Sequence, residues 1–398
     1  MVDAVVGGRV LMPDHSLQRR DVVIAQGKIQ GLSEPGAHAC GGSELLDATG
    51  CVVSPGFVDT HVHGAGGHNF MDLAGGASTV AHHLAAAGVT SCLAATATTD
   101  PTTLARAVAD LAGRAGVDGK VDLLGIHLEG PFLAEAQRGV HRAEHLRPPT
   151  RSEVDHLLHA AGDRLQVVTL APELPGGHDA VRRLVDAGVT VALGHSSATY
   201  DDAARAFSTG VSRVTHCFNA LPPIHHRAPG PIVAALTDTT VYVELVGDGR
   251  HVSPEVVRWT WQQVGSSRLV LVSDGVDVAG LPDGRHHRWE GTPVVLRDGV
   301  SRTLDGGLAG GVKGLAACVR DLVLAGALPL ADALVCASET PARSLGVQGA
   351  KGRILPGQDA DLVVLAPDLE VLATVNAGSV TYRSLDTSPL PPRRRRPS

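Results

Sequence analysis

The sequence has few aromatic residues, since Phe, Trp and Tyr together make up only 3% of its 398 residues. The core of this chain must therefore be built mainly from Ala, Val and Leu. Hydrophobic residues account for 43% and charged residues for 19% of the chain, which is typical of a folded globular enzyme and not of a disordered protein. A chain of this length can bury a large core.

The sequence also lacks an excess of positive charge. Its formal net charge is −7, which argues against a nucleic-acid partner. No apolar run approaches the roughly 20 residues needed to cross a bilayer, and the N-terminus lacks the basic and then apolar pattern of a signal peptide. We therefore expect a cytoplasmic protein that has no membrane partner. The one basic run, "PPRRRRPS", lies in a tail, residues 385–398, which we expect to be disordered.

Cysteine pairs and phosphate-binding loops are absent as well. The cysteines are scattered without a CxxC pair, at Cys40, Cys51, Cys92, Cys217, Cys318 and Cys336. In a chain this long, that spacing indicates neither a disulfide framework nor a zinc ribbon. The GxxxxGK[ST] loop of phosphoryl-transfer enzymes does not occur, and no Gly-rich phosphate turn follows the first strand of the repeating region.

Short apolar runs alternate with helix-like segments from residue 55 to about residue 345. The runs are 56–61, 89–95, 121–128, 165–171, 189–194, 212–216, 241–247 and 268–274. Eight strands that alternate with helices predict an α/β protein with a (β/α)8 TIM barrel, and an open doubly wound sheet is the alternative.

The two ends of the chain have a different, hairpin-like pattern of short strands and Gly turns. We therefore predict one small β-sandwich domain built from both termini, residues 1–54 and 346–384, beside a barrel of residues 55–345. A further β insertion, residues 284–304, is predicted to follow the eighth barrel strand.

Side chains that can bind metals stand at the predicted ends of five barrel strands. In chain order they are His61 and His63, Glu129, His195, His216, and Asp274. The C-terminal ends of the strands form the active site in a barrel of this kind, so these side chains should share one rim. Each residue alone is more often a hydrogen-bonded histidine or a turn residue, but their coincidence favours a site.

A carboxylate that ends an apolar run is costly to bury without a partner. We predict that Glu129 faces a divalent cation that His195 and His216 also bind. Two imidazoles and one carboxylate leave a position open for water, as in catalytic zinc sites. Zinc is the expected ion, with iron, cobalt or manganese as alternatives. Asp274 would take the proton of the metal-activated water and pass it to a leaving group.

The number of ions is left open by the sequence. His61 and His63 lie on one face of the first barrel strand, because alternate residues of a strand share a face. Glu129 has two oxygens, so it could bridge to a second ion held by these two histidines. In the alternative, one ion suffices and both histidines form hydrogen bonds near the substrate. We therefore expect one or two ions per subunit.

Eight stretches of the chain occur in the order found in one known family. They are "PGFVDTHVHG" (55–64), "GIHLEGPF" (125–132), "LAPE" (170–173), "LGHSSATYDDA" (193–203), "VTHCFNALPPIHHRAPG" (214–230), "GDGRHVSP" (247–254), "LVSDG" (271–275) and "LAG" (308–310). Together they resemble the N-acetylglucosamine-6-phosphate deacetylases of the amidohydrolase superfamily. The combination of "HLEGPF", "THCFNA" and "HHRAPG" is specific for that family, whereas HxH is shared by many amidohydrolases.

The resemblance implies a hydrolase of amino-sugar catabolism that converts N-acetyl-D-glucosamine 6-phosphate to D-glucosamine 6-phosphate and acetate. It implies the metal ligands already named, Asp274 as the catalytic acid and base, and His141 as a catalytic residue that polarises the acetyl carbonyl. The residues that it implies for substrate binding are Val140, Asn219, Ala220, Arg227, His251, Leu308, Ala309 and Gly310. Among these, Arg227 and His251 match the positions that hold the sugar phosphate.

The resemblance further implies a homodimer, because the loop with His225 and His226 lies near a dimer interface in the family. Two positions depart from the family pattern: Gly311 replaces the usual serine or threonine, and Asp277 adds a carboxylate near the rim.

Three alternatives remain beside this function. One is an amidohydrolase acting on a different acylamino sugar, and another is a cyclic-amide hydrolase or a deaminase. Hydrolases of cyclic amides commonly show a carboxylated lysine on the fourth strand, and "LQVVTLAPE" contains none. The last alternative, a non-catalytic barrel, would be expected to lose the metal ligands, which this chain retains.

Overall fold

The computed structural model describes residues 1–37, 44–72, 75–114 and 116–384. Cys40 and the basic tail 385–398, both named above, lie outside the described residues.

The chain begins with short strands in which buried Val, Ile and Leu alternate with exposed polar residues. They are β1 (Ala4–Val6), β2 (Arg9–Leu11), β3 (Leu17–Arg19), β4 (Asp21–Ala25), β5 (Lys28–Ser33), β6 (Leu45–Asp47) and β7 (Val52–Pro55). Gln26 and Gly27 join β4 to β5, and both have a positive φ, of 53° and 73°. This backbone is typical of the two-residue hairpin turn that glycine favours.

The barrel strands follow. They and the short strands between them are β8 (Phe57–Val62), β9 (Gly64–Ala65), β10 (His68–Asn69), β11 (Val89–Thr96), β12 (Gly116–Val117), β13 (Val121–Glu129), β14 (Leu165–Leu170), β15 (Thr190–Leu193), β16 (Val211–Val214), β17 (Tyr242–Val246) and β18 (Leu269–Val272). Eight of them pair in parallel in the order β8-β11-β13-β14-β15-β16-β17-β18. This order confirms the predicted (β/α)8 barrel.

Helices surround these strands and follow them in the chain. They are α1 (Ala77–Ala86), α2 (Pro101–Ala112), α3 (Arg151–Ala161), α4 (Gly177–Asp186), α5 (Tyr200–Thr209), α6 (Gly230–Thr237), α7 (Pro254–Val264), α8 (Leu315–Leu324), α9 (Leu330–Ala337) and α10 (Glu339–Ser344). Helix α5 begins with a capping box between Thr199 and Asp202. Among the described residues, no helix combines the length and hydropathy that a membrane crossing requires.

The barrel closes between β8 and β18 through residues at or just past the ends of the two strands. The Asp274 N–H donates to the His61 carbonyl at 3.0 Å, and the His63 N–H donates to the Gly275 carbonyl at 2.7 Å. Three of the residues predicted to bind metal or move protons therefore lie in the closing seam. Their relative positions are fixed by the backbone hydrogen bonds that complete the fold.

The predicted β insertion after the eighth strand is present. It forms the antiparallel sheet β19 (Gly284–His287), β20 (Pro293–Arg297) and β21 (Val300–Thr303). The chain then returns to the seam, where the Gly311 N–H donates to the Asp274 carbonyl at 2.7 Å. A side chain at Gly311 would collide with the Ser273 carbonyl. The backbone path of this chain therefore leaves no room for a side chain at position 311.

The last strands return to the first ones. Strands β22 (Leu362–Leu365), β23 (Val371–Asn376) and β24 (Ser379–Arg383) extend the order β24-β23-β22-β7-β2-β3. This six-stranded sheet shares one apolar core with the sheet β5-β4-β1-β6, and the core combines residues such as Ile24, Val53 and Val364. The predicted β-sandwich made from both termini is therefore confirmed.

A partly buried ion cluster joins the barrel to this sandwich. Lys351 Nζ lies 2.8 Å from Asp359 and 2.7 Å from Asp361, and it also contacts Asp122 on β13. Burial lowers the pKa of Lys351, but the charges of Asp361 and Asp122 outweigh burial and the net pKa is raised. The three carboxylates lie close enough to bind a cation, and the lysine ammonium supplies that positive charge.

A candidate metal-dependent active site

Three of the predicted site residues share a local backbone geometry. His195, His216 and Asp274 each lie two residues beyond the end of a barrel strand, after β15, β16 and β18. Each has a positive φ, of 47°, 26° and 47° respectively. Non-glycine residues rarely adopt this left-handed conformation, and it persists where surrounding contacts hold it. Here it accompanies three side chains that converge at the C-terminal end of the barrel.

The Glu129 carboxylate is the centre of the cluster. Its Oε1 atom lies within 3.0–3.4 Å of three imidazole Nε2 atoms, those of His61, His195 and His216. Its Oε2 atom lies 3.3 Å from His63 Nε2 and 3.4 Å from His141 Nε2. Burial raises the pKa of Glu129, but the charge of His61 and a hydrogen bond from His141 hold the net pKa well below its ordinary value.

The protonation of His195 tests whether this cluster fits a cation. His195 Nδ1 lies 2.8 Å from the Gln137 carbonyl, so it must donate its proton there. Burial lowers the pKa of His195 to about 4, which keeps the ring neutral. Its Nε2 lone pair therefore faces Glu129 Oε1 at 3.3 Å and His216 Nε2 at 3.1 Å. Lone pairs and a carboxylate gathered in this way fit a divalent cation as their common partner.

A second group of donors adjoins the first. His61, His63 and Asp274 place ligand atoms close enough together to hold an ion. His61 Nε2 is buried without a hydrogen-bond partner, at 3.4 Å from Glu129 and 3.7 Å from Asp274. His63 Nε2 lies 3.4 Å from Asp274. The unpartnered buried nitrogen shows that this group also fits a metal ion.

His141 faces the same centre but is held differently. The Thr98 N–H donates to His141 Nδ1 at 3.4 Å, and the Thr98 hydroxyl lies 2.8 Å from the same nitrogen. A nitrogen that accepts a backbone N–H carries no proton, so the proton of the neutral ring is on Nε2. His141 can therefore donate a hydrogen bond from Nε2 into the site. Its position, 3.4 Å from Glu129, would also allow metal binding, but with the opposite tautomer.

Asp274 lies at the edge of the cluster with 12% of its side chain exposed. Burial raises its pKa, but the hydrogen bond from His63 and the charge of His61 lower the net pKa well below the ordinary value. The carboxylate is therefore ionised at neutral pH and can accept a proton. Its Oδ2 atom lies 4.0 Å from His251 Nε2, and His251 is itself held by Asp248 at 2.8 Å.

A cavity of about 770 Å³ opens over the cluster. The residues predicted to bind substrate that line it are Val140, Asn219, Ala220, His251, Leu308 and Gly310. The predicted metal and catalytic residues that line it are His63, Glu129, His141, His195, His216 and Asp274. The structure thus brings most of the predicted site together around one space.

Two of the residues predicted to touch substrate do not line this cavity. Ala309 is buried behind its wall, where its carbonyl lies 3.5 Å from Arg288 Nη1. Arg227 lies on an exposed loop, where its guanidinium contacts His226 at 2.7 Å. The loop is separate from the cavity of its own chain. The additional carboxylate Asp277 does not line the cavity either, and lies 3.6 Å from Arg288 Nε.

The sequence did not predict that a buried carboxylate, Glu244, contacts the metal-site histidine His61 from the interior of the barrel. Glu244 on β17 accepts from His61 Nδ1 at 2.8 Å and pairs with Arg213 at 2.9 Å. Burial raises the pKa of Glu244, but the charges of Arg213 and His61 lower it to about 2. The available signal was the carboxylate within the apolar run "YVELV", which is the same kind of signal that identified Glu129.

Comparison with known proteins agrees with this geometry. The amidohydrolase family model matches residues 52–381. The N-acetylgalactosamine-6-phosphate deacetylase of Escherichia coli O157:H7 is 39% identical over 363 residues, which are 90% of this chain and 93% of that protein. The human N-acetylglucosamine-6-phosphate deacetylase is 35% identical over 355 residues, which are 86% of each chain.

Solved structures show the same similarity. A variant of N-acetyl-D-glucosamine-6-phosphate deacetylase from Mycobacterium smegmatis, in complex with N-acetyl-D-glucosamine 6-phosphate, superposes with a TM-score of 0.85 and is 36% identical. The match covers 96% of this chain and 98% of that one. The complex shows that this relative accommodates a phosphorylated amino sugar.

Proposed function

This chain belongs to the amidohydrolase family, and from that premise we propose that it deacetylates N-acetyl-D-glucosamine 6-phosphate. The products are D-glucosamine 6-phosphate and acetate. The observation that carries the proposal is the convergence of Glu129 with five imidazole groups and Asp274 at the C-terminal end of the barrel. Relatives in which this chain spans most of their length deacetylate phosphorylated amino sugars, according to their names.

The amidohydrolase family is metal-dependent, and the described residues include groups that fit a cation. We assign Glu129, His195 and His216 as the residues that would hold the main ion, and His61 and His63, together with Glu129, as those that would hold a second ion. Zinc is the expected ion, since two imidazoles and a carboxylate are the ligands of catalytic zinc sites. Iron, cobalt and manganese remain alternatives, and the count is one or two ions per subunit.

The residues of the chain supply the parts that an amide hydrolysis needs. When bound, a divalent cation lowers the pKa of water toward about 7 and polarises a carbonyl. Asp274 accepts the proton of the attacking water as the water oxygen bonds to the acetyl carbon. His141 donates a hydrogen bond from Nε2 to the acetyl oxygen, where negative charge develops. Asp274 then delivers the proton to the sugar nitrogen as the C–N bond breaks, so that the amine and acetate leave.

The wall of the cavity would hold the sugar. Val140, Asn219, Ala220, Leu308 and Gly310 line it close to the catalytic cluster, so they are assigned to the sugar ring and acetamide. His251 also lines the cavity, and we assign it a contact with the phosphate.

The remaining assignments depend on the family resemblance. The loop of Arg227 lies outside this cavity. Phosphate binding by Arg227 is therefore a prediction that depends on the resemblance alone. That exposed loop is available for a subunit contact in the homodimer that the resemblance implies. A cytoplasmic location likewise stays a proposal.

A different sugar is the second candidate. The relative from Escherichia coli, named for N-acetylgalactosamine 6-phosphate, is 39% identical, against 35% for the human enzyme named for the glucosamine compound. The two sugars differ only in configuration at one ring carbon. The deciding experiment measures acetate release from both phosphorylated sugars and from unphosphorylated N-acetylglucosamine, with metal analysis of the same preparation.

We expect the highest kcat/KM on N-acetylglucosamine 6-phosphate and at least one divalent ion per subunit. A higher kcat/KM on N-acetylgalactosamine 6-phosphate would identify that sugar, and not the glucosamine compound, as the substrate. Absence of acetate release from all three sugars by metal-loaded protein would refute a deacetylase.

The number of ions is tested by metal content in the wild type and in a His61→Asn/His63→Asn variant. Two ions in the wild type and one in the variant would support both positions. One ion in both proteins, with activity preserved in the variant, would exclude a functional second ion.

A further inference from the structure

The side chain of Glu244 lies beneath the cluster and is completely buried. Its Oε1 atom accepts two hydrogen bonds, one from His61 Nδ1 at 2.8 Å and one from the His216 backbone N–H at 3.1 Å. Its other oxygen lies 2.9 Å from Arg213 Nη2, and the Arg213 side chain is also fully buried. The carboxylate therefore touches one residue from each of the two donor groups.

The contact with His61 determines which nitrogen of that ring faces the cluster. A carboxylate can only accept, so His61 Nδ1 carries a proton, and Nε2 is the nitrogen left to bind a metal ion beside Glu129 and Asp274. The neighbouring ring of His127 cannot take over this task. Its two nitrogens are already engaged by the Thr60 carbonyl at 3.0 Å and the Thr169 hydroxyl at 2.7 Å.

The contact with His216 acts on the backbone. His216 has a φ of 26°, which is unusual for a residue with a side chain. The hydrogen bond from its N–H to Glu244 stabilises that conformation, in which the ring meets Glu129 at 3.0 Å. One oxygen atom thus stabilises a tautomer in one donor group and a backbone turn in the other.

We propose that Glu244 is a positioning residue that holds His61 and His216 in their metal-binding geometry, with Arg213 compensating its buried charge. This inference rests on the proposed function for the metal itself. Carboxylates that orient a metal-binding histidine typically change metal affinity 10–100-fold when they are removed. Because Glu244 serves both donor groups, its loss should weaken ion binding at both positions, whereas the His61→Asn/His63→Asn variant should weaken mainly the second position.

The test compares two double variants that both remove the buried ion pair. Arg213→Met/Glu244→Leu removes every acceptor at this position, whereas Arg213→Met/Glu244→Gln keeps one amide oxygen. Replacing both charges together avoids an uncompensated buried charge. The readout is the dissociation constant of Zn²⁺, measured by chelator competition with metal-free protein, together with ions bound per subunit and thermal unfolding.

We expect the Leu variant to bind Zn²⁺ 10–100-fold more weakly than the wild type, and the Gln variant to recover most of that loss. Equal affinities in the two variants, or wild-type affinity in the Leu variant, would overturn the proposal. A loss confined to one ion would overturn the link between the two groups. Glu339→Gln is the matched control, since Glu339 is also buried and contacts a histidine, His15 at 3.0 Å, far from the cluster in the chain. It should leave Zn²⁺ affinity unchanged.

A measurement on the unmodified chain keeps the inference testable if the Leu variant does not fold. The ¹⁵N chemical shifts of the His61 ring in Zn²⁺-loaded protein, assigned with a His61→Asn variant, report which ring nitrogen carries the proton. We expect a protonated Nδ1 and an unprotonated Nε2, and the reverse would refute the positioning role. The wild-type acetate assay separates the two hypotheses. Protein that binds Zn²⁺ without releasing acetate would refute the proposed function alone, whereas active wild type with equal variants would refute Glu244 alone.

Discussion

Replacement of Asp274 by Asn tests the proton transfer assigned to the closing seam. The amide has the same shape as the carboxylate, so the contacts at 3.4 Å with His63 and 4.0 Å with His251 need not move. The backbone hydrogen bond from residue 274 to His61 is also kept. What disappears is the negative charge and the ability to accept a proton at neutral pH.

General acid–base catalysis contributes about 10²–10⁴-fold to a rate, and a tenfold change in rate corresponds to about 1.36 kcal/mol. We therefore expect Asp274→Asn to lose about 2.7–5.4 kcal/mol of transition-state stabilisation. Because Asp274 acts on the proton during the chemical step and not on substrate binding, the loss should lower kcat and leave KM nearly unchanged. The ion at Glu129, His195 and His216 should be retained, since Asp274 is not in that group.

The assay is steady-state acetate release by metal-loaded protein, with ions per subunit measured on the same sample. Asp277→Asn is the matched control, because it makes the same chemical change at a buried carboxylate three residues further along. Asp277 pairs with Arg288 and does not line the cavity, so its kcat should stay within a few-fold of wild type. A kcat for Asp274→Asn within a few-fold of wild type, at full metal content, would refute the assigned role.

Further predictions concern the ligands, the phosphate and the domain junction. Glu129→Gln should lose its metal and nearly all activity while staying folded, because a neutral amide is a poor zinc ligand; undiminished metal content by elemental analysis would contradict this. Arg227→Ala should raise KM for the 6-phosphate sugar about 10–100-fold, the value of a charge-assisted hydrogen bond, and barely affect the unphosphorylated sugar; equal losses on both would mean a structural role. Lys351→Met should lower the free energy of unfolding by about 3–5 kcal/mol, since it leaves the buried Asp361 carboxylate without its cation; a denaturant midpoint equal to that of wild type would refute this.

The parts of the site that the sequence predicted depend on local signals. Glu129 ends an apolar run, and His195 and His216 follow two others, so the barrel topology alone places them at one rim. The left-handed backbone at the two histidines has no such signal, because it depends on contacts with other strands. Glu244 did carry a local signal, but its role depends on the register of β17 against β16 and on the path of β8.

Loops were less predictable than strands. Arg227 occupies a polar segment whose path is set by the surrounding loop packing, and the sequence could not show that it leaves the cavity of its own chain. The sequence identified Gly311 only as a departure from the family pattern, whereas in the structure its missing side chain allows the chain to pass the Ser273 carbonyl. Both outcomes depend on distances between segments that are far apart in the sequence.

The sheet order β24-β23-β22-β7-β2-β3 also means that β7 is translated long before its neighbour β22. Strand β7 ends at Pro55, and the strand that covers its open edge begins at Leu362. At about 5–20 residues per second, a ribosome needs about 15–60 s to make the chain between them. During that interval all barrel strands are synthesised, while the edge of β7 lacks its hydrogen-bonding strand β22 and the apolar side chain of Val53 lacks its packing partners. A nascent chain released before β22 would therefore carry every ligand of the candidate site together with an unpaired sheet edge that can pair with another chain and aggregate.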